Sequence, residues 1–144
     1  MKNNKRTIHV VGINSFKFAD LQCNIKELLF KTNNIAVPSS FIEKIKIWES
    51  KKFIGEKNFF ISKSDLNLIN WLKTLDNDAL LFSRGDPLWF GIGRILLKNF
   101  SQDELSFYPA NTCIQLAFSK LKKSWQGTKT VSIHGRDSLE LIKL

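Results

Sequence analysis

Ala79-Leu-Leu-Phe-Ser-Arg-Gly-Asp-Pro-Leu-Trp-Phe-Gly-Ile-Gly93 compresses a strand, a turn and the approach to a helix into one short segment. The run from Ala79 to Ser83 is apolar at consecutive positions, the composition of a strand covered on both faces. Gly85 suits a backbone with φ > 0 or a close approach. Asp86 is placed to cap the next helix, and Pro87 falls at its favoured first position. The turn therefore sits at the carboxyl end of a strand, where open parallel sheets bind ligands. A helix N-terminus attracts anions. With the Asp86 carboxylate already present, the position instead favours a ligand's cationic amine. A capped turn without a ligand explains the same spacing equally well. Gly91 and Gly93 are expected inside that helix, about Leu88 to Asn99, where each costs about 1 kcal/mol relative to alanine. Close helix–sheet packing is their expected use. Lying within the helix, their GxG is not a dinucleotide fingerprint.

The same alternation extends both ways. Thr7-Ile-His-Val-Val-Gly-Ile13 reads as a first buried strand, and Asp20 precedes a helical stripe of Leu21, Ile25, Leu28 and Leu29. Asn34 to Pro38 forms a short second strand. Ser40 and Glu43 make a capping box before Phe41, Ile42, Ile45 and Trp48. Asn58 to Ser62 is a third strand, and Ser64 caps a helix that buries Leu68, Ile69 and Leu72 with Trp71 beside them. Leu105 to Tyr108, Asn111 to Leu121 and Thr130 to Ile133 continue as strand, helix and strand, and a further helix begins before Leu144. Short apolar strands alternating with helices predict an α/β fold, a parallel-type sheet flanked by helices.

With 144 residues, 43% apolar and 24% charged, the chain has the composition of one ordinary globular domain. No apolar run reaches the roughly 18–20 residues that span a bilayer. The basic stretch Met1 to Arg6 is followed only by Ile8 to Ile13, too short for a signal peptide. A cytoplasmic protein without a membrane partner is expected. The net charge of +9 is spread from Lys2 to Lys143, with four arginines among 22 basic residues. That pattern favours a generally basic surface over a nucleic-acid groove, and is compatible with a small polyanionic substrate. Cys23 and Cys113 show no CxxC or Cys/His spacing, so neither a disulfide framework nor a metal site is expected. Cys23 reads as a core or half-buried thiol and His9 as a structural residue.

Pro109-Ala-Asn-Thr-Cys-Ile-Gln115 repeats the strand–turn–helix arrangement, with Asn111 or Thr112 as the cap. Cys113 falls in the first turn with no His or Lys nearby in sequence, and no nucleophile is assigned there. Taken together, Ser83 to Arg94, Tyr108 to Phe118, Ser124-Trp-Gln126 and Val131-Ser-Ile-His-Gly-Arg136 follow the order and spacing of GDPxxxGIG, PAxSSxQLAF, PWQ and SxHGR. On these segments the chain resembles the tetrapyrrole methylase family, and within it the precorrin-6Y C5,15-methyltransferase branch of cobalamin biosynthesis. Over residues 1–75 the likeness is limited to Val10-Val-Gly-Ile13 and the general strand–helix order.

The resemblance implies a two-lobed methyltransferase, with S-adenosylmethionine held between the lobes and a polycarboxylate corrin precursor beside it. It also implies a homodimer, while the scattered charge already speaks against a nucleic-acid partner. Residues 1–122 would form the N-terminal lobe, and 123–144 a linker and the first strand of a second lobe that is mostly missing. Arg84, Gly85 and Asp86 would lie in the cofactor loop, with Trp89 beside them. Thr112 and Cys113 would match the small residues that approach the cofactor, and Gly12 would belong to the first-strand loop. The family's GxG loop is here Gly12-Ile-Asn-Ser15, which Asn14 accommodates if its backbone turns left-handed. Because a sulfonium is already an activated methyl donor, no catalytic acid, base or nucleophile is named. The implied reaction is methyl transfer to C5 of a precorrin. A methylase of another tetrapyrrole and a catalytically silent binding module of the same fold are the alternatives.

Overall fold

The computed structural model of the chain describes residues 6–132. They fall into two units that divide between Thr112 and Cys113. The first unit contains β1 (Ile8–Ile13), α1 (Cys23–Lys31), β2 (Asn34–Pro38), α2 (Ile42–Ser50) and β3 (Asn58–Ser62). It continues through α3 (Asp65–Lys73), β4 (Ala79–Arg84), α4 (Gly93–Asn99) and β5 (Leu105–Tyr108). All strand pairs are parallel, in the order β3-β2-β4-β1-β5. The expected α/β architecture is present, with every strand from β1 to β5 within a residue of its predicted span. The second unit contains α5 (Cys113–Leu121). Residues 130–132, expected to open another strand, carry none; Ile133 and the expected helix after it lie outside the described residues.

Alternation along the strands builds a core on each face of the sheet. Val11, Ile13, Ile35, Val37, Leu80 and Phe82 meet Ile25 and Leu29 of α1 and Phe41, Ile42, Ile45 and Trp48 at and within α2. Ile8, Val10, Ala36, Ala79 and Leu81 point the other way, onto Leu68, Ile69 and Leu72 of α3 and Leu96 of α4. Strands β1, β2 and β4 need apolar residues at consecutive positions for this reason. The edge strands β3 and β5 are half-exposed. Trp48 is buried, and its indole N–H donates to the Phe16 carbonyl at 2.9 Å, which ties α2 to the loop after β1.

Three local expectations are corrected. Ser64 does cap α3, its Oγ accepting the Asn67 N–H at 3.2 Å. The Ser40–Glu43 box does not form. A 3-10 turn over Ser39–Phe41 runs directly into α2, so Phe41 at the cap already has helical backbone (φ −102, ψ −21) and Ser40 stands inside the turn. Cys23 is exposed rather than buried. Ile25 and Leu29 carry the buried stripe of α1, and Cys23 is two residues away, about 200° around the helix. Finally, α4 begins at Gly93 and not near Leu88.

Candidate functional site

Strands β1 and β4 are neighbours, yet their connections leave to opposite faces: β1 leads to α1 and β4 to α4. Such a reversal opens a crevice at the carboxyl ends of the two strands. Gly12 lies level with Ser83 across the pair, and Ile13 with Arg84. A Cβ on Gly12 would stand 2.3 Å from the Gly85 carbonyl oxygen and 3.0 Å from both Cβ and N of Ala110. Only glycine fits where the loops after β1, β4 and β5 converge. The Gly85 N–H donates to the Ile13 carbonyl at 3.1 Å, and Gly85 itself has φ +65, the left-handed backbone expected of it. Asn14 does not take up the left-handed backbone expected of it. Its side-chain Nδ2 instead donates to the Asn111 carbonyl at 2.9 Å, fastening the first loop to the third.

After Gly85 the chain folds back on itself before the helix starts. Asp86 Oδ1 accepts the Leu88 N–H at 2.8 Å, and the Asp86 carbonyl accepts from Trp89 at 3.2 Å. The carboxylate therefore closes a local turn and does not cap α4. Pro87 is buried, and its carbonyl accepts the Gly93 N–H at 2.8 Å. A Cβ on Gly91 would lie 2.6 Å from that carbonyl oxygen, and one on Gly93 2.7 Å from it and 3.2 Å from the Phe107 ring. Gly93 gives the close helix–sheet approach expected of it, whereas Gly91 serves the turn. The pair precedes and opens the helix, so its place within a helix is not what separates it from a dinucleotide fingerprint. Phe90 holds φ +50, a conformation that a bulky side chain adopts only under constraint. Beside it, Trp89 and Phe90 meet edge to face with centroids 5.0 Å apart, and both are exposed.

Of the residues singled out in the sequence, Gly12 and Gly85 come together at the crevice, Asp86 follows Gly85 in the β4 loop, and buried Thr112 follows directly on Ala110 and Asn111. Trp89 lies farther along the β4 loop. Arg84 is exposed, with its guanidinium carbon 5.6 Å from the centroid of Phe41. Cys113 starts α5 in the second unit and is exposed. Asn14 and Asn111, read in the sequence only as a turn residue and a candidate cap, join the site together with Ala110, through contacts that span more than 90 positions of chain. Among the described residues no group of three His, Cys, Asp or Glu side chains is placed to hold a metal ion. None of their helices is long and apolar enough to cross a membrane. His9 lies away from the crevice, with Nδ1 3.1 Å from the Tyr108 hydroxyl and Nε2 4.0 Å from Asp78 Oδ2. Burial lowers its pKa, and the Asp78 carboxylate partly opposes that.

No family model matches the chain. Over 89 residues it is 29% identical to a precorrin-6Y C(5,15)-methyltransferase (decarboxylating) of a Sinorhizobium species, covering 62% of this chain and 21% of that one. Over 142 residues it is 25% identical to "Probable cobalt-precorrin-7 C(5)-methyltransferase" of Methanocaldococcus jannaschii, covering 94% of this chain and 66% of that one. In sequence the chain is thus similar to two methyltransferases named for precorrin substrates. Two solved structures carry the same fold. The precorrin-6Y methylase of Archaeoglobus fulgidus aligns with a TM-score of 0.60 at 19% identity, over 83% of this chain and 60% of that one. The methyltransferase CobJ aligns with a TM-score of 0.66 at 13% identity, over 96% of this chain and 61% of that one. The chain thus spans less than two thirds of each of these four proteins.

Proposed function

We propose that this chain belongs to an S-adenosylmethionine-dependent methyltransferase that acts on ring carbon C5 of a precorrin. Residues 1–122 would be its N-terminal lobe, and 123–144 a linker and the opening of a second lobe. The observation that carries the reading is the convergence of the loops after β1, β4 and β5 around Gly12, at the switch point where an α/β sheet binds its ligand. The residues present fit the cofactor. Asp86 is half-buried, and its Oδ2 accepts no hydrogen bond among the described residues, so it is available to an amine or hydroxyl. The positive φ of Gly85 turns the chain without a side chain in the crevice.

When bound, S-adenosylmethionine supplies an activated methyl group, and the reaction draws on no acid–base pair from the protein. Within the first unit, Arg84, Gly85, Asp86 and Thr112 would hold the cofactor, Trp89 would shield it from water, and Gly12 would keep the loops in place. Alignment of the donor with the acceptor carbon is then the protein's contribution to rate. A polycarboxylate corrin precursor suits the net charge of +9. A cytoplasmic homodimer, binding neither nucleic acid nor membrane, completes the proposal. Calorimetric titration with S-adenosylhomocysteine tests it: one saturable site that weakens on Asp86→Ala is expected. Absence of heat at high ligand concentration would overturn cofactor binding by this chain and favour a silent module of the same fold.

A further inference from the structure

The carboxyl end of the sheet carries two cations that pair with no acidic group among the described residues. Arg84 ends β4 on the face of Leu80 and Phe82, over the ring of Phe41. Lys44, in the first turn of α2, places Nζ 4.4 Å from the centroid of Phe16. The two rings themselves pack edge to face, 4.5 Å between centroids at 81°. Phe41 is fully buried and Phe16 half-buried in the core under α1 and α2, so each cation rests on one ring of a fixed pair. Arg84 is joined directly to Gly85, and Phe16 lies two residues beyond Asn14; both belong to loops that form the crevice.

The ion pairs among the described residues lie elsewhere, at Arg6–Glu104, His9–Asp78 and Lys31–Glu27. Arg84 and Lys44 are both exposed and have no carboxylate partner there. Stacking on an aromatic face orders a long cationic side chain before any ligand arrives, which reduces the entropy lost on binding. A planar guanidinium fork and a point-charge ammonium, seated on two rings in edge-to-face contact, are each matched to a carboxylate. We propose that Arg84 and Lys44 form a carboxylate-binding pair on the rim of the crevice, an inference that rests on the methyltransferase reading and deepens it. A carboxylate could reach this rim from two sources: the amino-acid end of S-adenosylmethionine, or the acidic side chains of a macrocyclic substrate.

Binding measurements on the whole chain separate these. The probes are S-adenosylhomocysteine, 5′-methylthioadenosine (which lacks the amino-acid carboxylate) and uroporphyrin, a tetrapyrrole with carboxylates on every pyrrole ring. The proteins are wild type, Arg84→Gln, Lys44→Gln and Arg84→Lys, each checked for unchanged thermal unfolding. Loss of a charge-assisted contact is expected to weaken a carboxylate probe at least about tenfold in the glutamine variants. Partial recovery is expected in Arg84→Lys, and no change with 5′-methylthioadenosine. Weakening confined to S-adenosylhomocysteine assigns the pair to the cofactor, and weakening confined to uroporphyrin assigns it to the substrate. Equal affinity of all four proteins for both carboxylate probes overturns the pair but leaves the methyltransferase reading intact if S-adenosylhomocysteine binds. Uroporphyrin binding that depends on both cations in a chain without S-adenosylhomocysteine binding keeps the pair and removes that reading. Failure of wild type to bind either carboxylate probe overturns the pair.

Discussion

Gly12 is the residue on which the crevice turns. A methyl group there would overlap the Gly85 carbonyl at 2.3 Å, and backbone on both sides leaves it nowhere to go. Gly12→Ala is therefore expected to destabilise the fold by about 1–3 kcal/mol in urea titration. Its S-adenosylhomocysteine affinity should fall further than that of a control of equal stability cut elsewhere in the core. His9 yields a pH prediction. Burial lowers its folded-state pKa below 6.5, so the unfolded chain binds the proton more readily. Its contribution is fully present above that value and is lost as pH falls through 6.5 toward the folded pKa. Urea midpoints measured downward from pH 7.5 should show an acid-side decline that His9→Gln lessens. Gly85 was legible because an aspartate and a proline follow it in a turn pattern. Phe90 was not: a positive φ on an aromatic residue is imposed by the Pro87–Gly93 closure and leaves no local signature.

At the scale of elements, the two serines expected as caps make a paired prediction. Ser64→Ala removes an acceptor from the Asn67 N–H and should cost about 1 kcal/mol. Ser40→Ala should change stability by less than about 0.5 kcal/mol, since no side chain caps α2. Denaturant midpoints of the two variants distinguish a formed cap from a sequence pattern that only resembles one. Trp48→Ala should cost about 3–5 kcal/mol, combining a cavity beneath α2 with the lost bond to Phe16. Strand spans could be read almost to the residue because burial on both faces demands continuous apolar runs. Helix starts were less legible, apart from α3, which Ser64 marks. Asp86-Pro87 has the form of a cap, but the proline carbonyl is taken by Gly93, so the backbone completes a turn before α4 begins.

For the whole molecule, ligand binding and folding must be linked. If S-adenosylhomocysteine binds the folded chain alone, a hundredfold excess over Kd adds about 2.7 kcal/mol, seen as a rise in Tm that saturates with ligand. Both cysteines are exposed, so native protein should release both thiols to a disulfide reagent without denaturant. The alternation of apolar runs with helical stripes was sufficient for the parallel α/β sheet, since no other arrangement covers both faces of such strands. The motif segments from Ser83 to Phe118 were likewise sufficient for the kinship, because residue order and spacing are properties of the chain itself. The meeting of Gly12 with Gly85 and Ala110, the bond from Asn14 to Asn111, and the seating of Arg84 and Lys44 on one aromatic pair arise differently. Each depends on which strands become neighbours, and contacts between residues far apart in the chain exist only once β4 lies between β2 and β1, and β1 between β4 and β5.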